Sequence, residues 1–305
     1  MSQNLTHPEP VLTGARQTML AWSKVIESYE EVPEIYRPFL NPILAASDHF
    51  PHIVLAPPLD KFLRKTNQKL ICDSPDAIHI LERSGSQVLK KSYPYQSVVM
   101  IEVGIILLNS WISVYGPTSE GQADHSTIEF NTTGERHYSV FLKKIRPDPE
   151  ENGESSLKAE RDKFDHLSGP NFKFMNYARS SLLTGETVLQ TVLQPEIRQA
   201  AWKIFGWTFY RTVSLAHLAI LTDKELILIR DDERAKELRG SRHGGVWQYI
   251  PLSSIRAVSV AETDNGLLEL SIGLSSGDAL KKTFAAASKP ELEQLRNKLQ
   301  DRIGK

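Results

Sequence analysis

The run VVMIEVGIILLNSWISV, residues 98–114, is the most apolar stretch of the chain, and it must either cross a membrane or be buried on two faces. As a helix it would reach about 25 Å, short of the roughly 30 Å of hydrocarbon in a bilayer. It would also hold Glu102, Asn109 and Ser110 in lipid, where a carboxylate is costly. Its β-branched and aromatic residues fit strands instead, two of them turning near Glu102 to Gly104. Strands that are apolar on both faces need cover on both. The N-terminal lead-in, or the helices that follow the first strand-rich region, is the expected cover, so Ile106 and Leu108 are expected to be buried.

A long-period repeat supports strands. DAIHILE from Asp76 lies over KELILIR from Lys224, PYQSVVMIEV from Pro94 over PLSSIRAVSV from Pro251, and GIILL from Gly104 over GLLEL from Gly266. The offset grows from 148 to 162 residues, so element order is kept and the added length falls in connections, where insertion is cheap. The counterpart of the apolar run, residues 255–271, carries Arg256, Glu262, Asp264 and Asn265. No membrane span would hold that set, and two copies of one unit are expected to fold alike.

Around this repeat the chain reads as follows. Met19, Trp22, Ile26 and Tyr29 share one face of a predicted N-terminal helix, and six prolines between Pro33 and Pro58 break up the lead-in, leaving a short helix near 41–46. KLICD, AIHILE, QVLKKSYPY, SVVMIEV, GIILLNSWISVYG and STIEFN read as strands. Residues 146–158, RPDPEENGESSLK, read as a solvated acidic linker. Two helical pieces flanking Gly169-Pro170 follow, with Phe172, Phe174, Met175 and Tyr177 to dock them. Strands return at Val188, and Pro195 stops the first. In KIFGWTFYR, Phe205, Trp207 and Phe209 alternate as in one strand with a buried face. Turns are predicted at Thr222 to Lys224 and at Asp264-Asn265-Gly266. A final helix carries the stripe Leu292, Leu295, Leu299 and Ile303, opened by Ser288 and Glu291 as a capping box.

In this order LAHLAILTDKELILIRDD, GGVWQYIPLSSIRAVSV, ETDNGLLELSIGLSSGD and the closing helix resemble the bacterial pleckstrin-homology-like (PH-like) domains, over about residues 183–303. Through the repeat the resemblance extends to 53–146. It implies a mainly β fold with α: a tandem of two PH-like antiparallel β-barrels, each with a capping helix, after an N-terminal helical segment. The expected division is a helical lead-in at 1–52, a first PH-like domain at 53–146, linker and docking helices at 147–182, and a second PH-like domain at 183–305. Such barrels bind peptides by adding a strand to an edge or taking a helix in a groove.

Composition narrows function. A length of 305 residues suits two domains. Thirty-six basic against thirty-seven acidic side chains leave a net charge of -1, so no global field draws the chain to nucleic acid or anionic lipid. Cys72 is the only cysteine, so no intrachain disulfide forms, and with no signal-peptide pattern at the start the expected location is cytoplasmic. GxxxxGK[ST], GxGxxG opening a helix, HExxH and GxSxG are all missing. A non-enzymatic binding or scaffold protein is therefore expected, with no cofactor and no metal. Asp48, His49 and His52 are split by Pro51 and read as a polar loop rather than a metal site. Cys72, with His79 or His217 as base, reads as a small buried apolar residue rather than a nucleophile.

Two sets remain for partner binding. One is Trp202, Trp207 and Tyr210, for which packing into a core is the favoured reading. The other is Arg239 and Arg242, in the mixed-charge loop 231–245. Arg198, Lys203 and Arg211 are too dispersed for a specific headgroup clamp. An unidentified protein partner therefore ranks ahead of a membrane surface.

Overall fold

The computed structural model describes residues 22–61, 64–148, 154–204, 207–232 and 244–303. The chain is mainly β. Its N-terminal half opens with β1 (Lys24–Ile26), helix α1 (Arg37–Ala45), β2 (Ile53–Ala56) and a two-stranded excursion, β3 (Asp60–Lys61) with β4 (Arg64–Lys65). Then come β5 (Lys69–Asp73), β6 (Ala77–Ser84), β7 (Gln87–Pro94), β8 (Met100–Ile106), β9 (Asn109–Pro117), β10 (Ala123–Asn131) and α2 (Ser139–Ile145). Two helices connect the halves, α3 (Glu154–Asp162) and α4 (Ser168–Ser181). The C-terminal half holds β11 (Val188–Gln194), β12 (Ile197–Ile204), β13 (Trp207–Ser214), β14 (His217–Thr222), β15 (Glu225–Arg230) and β16 (Gly245–Pro251). It ends with β17 (Ile255–Glu262), β18 (Leu268–Leu274), β19 (Ala279–Phe284) and α5 (Lys289–Gln300).

The two halves share a strand order. β2-β5-β6-β7 in one half matches β11-β14-β15-β16 in the other, and each run is followed by a three-stranded meander and then a helix. Each half also places a two-stranded excursion after its first strand. The third sequence match is shifted: Gly266 sits in the turn before β18 with φ +72°, whereas Gly104 lies inside β8. The turn equivalent to Asp264-Asn265-Gly266 is Leu107-Leu108, not Glu102 to Gly104.

The two closed barrels expected from the resemblance do not form among the described residues. β8 pairs with β16 of the other half over five residue pairs, from Gly245↔Ile105 to Tyr249↔Ile101. The result is one seven-stranded antiparallel sheet, β10-β9-β8-β16-β15-β14-β11, that runs through both halves. It is flanked by the five-stranded sheet β1-β2-β5-β6-β7 and the three-stranded sheet β17-β18-β19.

This seam explains why residues 98–114 are apolar on both faces. Ile101, Ile112 and Val114 pack with Ile71, Ile80, Phe130 and Phe141 in the first core, while Val99 and Met100 join Leu228, Ile250, Leu270 and Leu295 in the second. The other half of the chain supplies much of the cover, and the following helices supply part of it as expected, through Phe141 of α2 and through the α4 cluster against Ile105. Ile106 is buried, but Leu108 is exposed at the turn. Gly104 is required by the seam: it stands opposite Trp111, and a Cβ there would fall 2.0 Å from the indole ring. Glu102, the awkward carboxylate of the run, accepts from Trp111 Nε1 at 2.9 Å and from Gln248 Nε2 at 3.0 Å. Arg230 lies 3.7 Å from it.

A second polar centre ties the connection to the C-terminal half. Arg146 was placed in the solvated linker by its sequence neighbours, yet its side chain is only 14% exposed. It makes a bidentate pair with Glu225, donates to the Ser181 carbonyl at 2.9 Å and stacks on the Tyr249 ring at 3.6 Å. Burial, with the Glu225 carboxylate next to it, pushes the Glu186 carboxyl up to about 7. One guanidinium thus serves two carboxylates, and the second keeps its proton near neutrality.

Other expectations change. The predicted N-terminal helix is absent among the described residues: Lys24–Ile26 is an edge strand on β2, because Ile26 fills a core with Tyr36, Leu40 and Ile53, while Trp22 is exposed. Met19 lies outside the described residues. Helical pieces lie on both sides of Gly169-Pro170 as expected, the break falling at Asn171 (φ -160°, ψ 88°), and Phe174, Met175 and Ala178 pack on Leu218, Ile220, Ile229 and Trp247 while Phe172 stays exposed. Leu292, Leu295 and Leu299 are buried as expected. Ser288 sits at the N-cap of α5, but its hydroxyl bonds to Gln194 Oε1 at 3.3 Å in place of the capping box.

Candidate docking hairpin

KIFGWTFYR is not one strand with a buried face. β12 and β13 form a hairpin joined through 205–206, which lie outside the described residues, and among the described residues they pair with no other strand. Register sets its faces. Trp202 opposes Phe209, and their rings lie 5.8 Å apart. Trp207, two residues before Phe209, shares that face. Tyr210 and Thr208 alternate to the other side. Position 201 is a bulge, with Ala200 opposite Tyr210.

The packing expected for these rings is overturned. Trp202 is 61% exposed, Trp207 76%, Phe209 48% and Tyr210 66%. They make up four of the ten large apolar side chains exposed among the described residues. The cause is position: the excursion leaves the sheet after β11 and re-enters at β14, and β12 pairs only with β13 among the described residues. Sequence reading missed Phe209 as an exposed residue, and Gly206 inside an otherwise strand-like run was the available signal for a turn.

The base of the hairpin is well held. Gln194 Oε1 accepts from the Ala285 amide at 2.7 Å, tying the end of β11 to the approach to α5. Glu196 accepts from Thr212 Oγ1 at 2.7 Å and pairs with Arg198 at 2.7 Å. Ile197 is buried and Arg211 is exposed. Residues 197–214 contain Arg198, Lys203 and Arg211 and no carboxylate.

Other candidates are engaged within the fold. Cys72 is buried, and burial, with the Asp73 charge next, pushes its thiol up to about 12. His79 stands opposite it in the ladder, lowered to about 4 by burial, with its ring nitrogens on Ser92 and Ser74 hydroxyls. His217 is likewise lowered to about 4 by burial, and its Nδ1 contacts the Leu215 carbonyl. His52 Nε2 bonds to the His137 carbonyl at 2.8 Å, away from Asp48 and His49. A cleft of about 180 Å³ is lined by Lys69, Glu82, Thr127 and Glu129, but Lys69 pairs with Glu82 at 2.9 Å and donates to the Thr127 carbonyl. Arg239 and Arg242 lie outside the described residues.

Among the described residues no helix is long and apolar enough to cross a membrane. Compared with known protein families and with characterised proteins, the chain matches none.

Proposed function

We propose that the protein is a non-enzymatic binding module, PH-like in strand order, that attaches to another surface through the hairpin β12–β13. One observation carries this reading: four aromatic side chains stand exposed on an element that, among the described residues, gives the core only Ile197 at its base. Leaving such rings in water is unfavourable, and contiguous exposed apolar surface marks interaction sites in soluble folds. The anchored base supports the same reading, because a fixed hairpin loses less freedom on docking.

The test is accessibility in the cell. A cysteine at Thr208→Cys is labelled with a maleimide in the source cells and in the purified protein, with Glu120→Cys on the exposed β9–β10 turn as reference. Buried Cys72 contributes little background. Labelling at 208 several-fold slower in cells, with equal labelling at 120, is the expected result. Equal labelling at both sites would remove the hairpin as the docking element.

A further inference from the structure

We infer that the chain joins further copies of itself head to tail, the edge of β17 in one copy adding to the edge of β7 in the next. The contact uses a surface other than the hairpin and does not depend on it.

The seam supplies the pattern. β16 closes the run β11-β14-β15-β16, β8 opens the meander β8-β9-β10, and the two pair. β7 closes the run β2-β5-β6-β7 and β17 opens the meander β17-β18-β19, yet among the described residues both are outermost strands of their sheets. Within one chain the half-to-half contact is therefore made once, in one direction, and its two matching edges are left over. A contact of that kind is heterologous, and repeated between copies it builds rings or filaments.

Register agrees with the pattern. Carried over by the sequence match of Pro94 with Pro251, the seam pairing sets Val88 opposite Glu262, Leu89 opposite Ala261, Lys90 opposite Val260 and Lys91 opposite Ser259. Along an antiparallel ladder, bonded and non-bonded pairs alternate. The Tyr95 amide donates to the Asp76 carbonyl at 2.9 Å, so counting back along the β6–β7 ladder leaves Val88, Lys90 and Ser92 with outward backbone groups. The Thr263 amide donates to the Leu267 carbonyl at 2.8 Å, which in the same way turns those of Val258, Val260 and Glu262 outwards on β17. The carried-over register thus brings outward groups to outward groups. A shift by one residue would not.

Side chains fit the same pairing. In the seam Val246 stands opposite Gly104, a branched residue against a small one; here Leu89, 54% exposed, stands opposite Ala261. Lys90, the kind of residue that guards an open edge, lies diagonal to Glu262. On β17, Val258 lies in the core with Leu292 and Leu295 of α5, while Ala257, Ser259 and Ala261 stay exposed. The Ser92 carbonyl already accepts from the Ser119 amide at 2.8 Å, so the ladder ends at Lys91. An interface that short is weak, and association depends on concentration.

The experiment is sedimentation velocity of the full chain from low to high micromolar concentration, with oxidative crosslinking of Leu89→Cys/Ala261→Cys. Species larger than a dimer should grow with concentration. The double variant should give a series of crosslinked bands, a mixture of the two single variants should stop at the dimer, and neither single variant alone should crosslink, Cys72 being buried. Lys90→Pro removes one outward amide and leaves the β6–β7 ladder intact; it should lower the association constant at least about tenfold. A thermal melt shows that it folds. A chain that stays monomeric at every concentration overturns the inference. Crosslinking by Leu89→Cys alone would mean that β7 pairs with β7, and association that Lys90→Pro leaves unchanged would mean that another surface is used; either result also overturns it.

Discussion

The seam, with the Arg146 centre beside it, and the hairpin draw on the same residue types, tryptophan, tyrosine and arginine, and they treat them in opposite ways. At the seam Trp111 donates to Glu102, Tyr177 and Trp247 pack at 4.7 Å, and Arg146 lies on Tyr249 with Glu225 in its fork. In the hairpin Trp202 meets Phe209 across the strands, but Trp207 and Tyr210 extend into solvent. The fold therefore has places that accept large rings with their polar groups satisfied. Rings left outside do not serve its stability.

That comparison can be broken at several points. The largest effect is expected at Arg146. Its replacement by alanine leaves Glu225 and Glu186 without their cation, and unfolding by denaturant should show a loss of about 3–5 kcal/mol. A loss below about 1 kcal/mol would mean that this centre does not hold the connection to the sheet. Gly104→Ala comes next. The added methyl meets the Trp111 indole, and a loss of about 1–3 kcal/mol is expected in the same assay.

A smaller effect is expected from pH. Glu186 binds its proton more tightly when folded than unfolded, so its contribution is present below the unfolded carboxylate range and is lost as pH rises through about 7. His79 and His217, lowered to about 4, act in the opposite direction, and their contribution is complete only by roughly pH 7.5. Between roughly pH 6.5 and 8 the two histidines offset the Glu186 loss, so Glu186→Gln, which removes only that loss, should gain about 1 kcal/mol relative to the native protein over this range. The same pH slope in the variant and the native protein would mean that Glu186 does not titrate there. The smallest effect belongs to the hairpin: Trp202→Ala/Trp207→Ala/Phe209→Ala together should leave stability within about 0.5 kcal/mol. A substantial drop would return these rings to a packing role.

Much of the strand pattern was legible in the sequence, because alternation and turn residues are local. KLICD matches β5, Pro195 ends β11, and Asn265-Gly266 makes the β17–β18 turn with the positive φ such turns need. The leucine stripe of the last helix was legible for the same reason. What escaped depends on partners remote in the chain. The β8–β16 ladder joins residues more than a hundred positions apart, and nothing local to either strand names the other. Glu102 was the one hint, a carboxylate in an apolar run that needed a polar neighbour and found Gln248. Trp22 and Ile26 have helical spacing, but three residues on the edge of β2 decided the outcome. For the candidate site, Trp202, Trp207 and Tyr210 could be named, but their exposure could not. Alternation looks alike in a strand with a core beneath it and in one without.

The β8–β16 ladder has a further consequence for inheritance. Repeats that meet only through a linker can be copied, lost or moved to another protein one at a time. Here each half closes the other's open edge through five residue pairs. Either half alone would carry a bare strand ready to pair with a foreign chain. The two halves are thus constrained to change together in the strands where they meet, and are freer in their excursions.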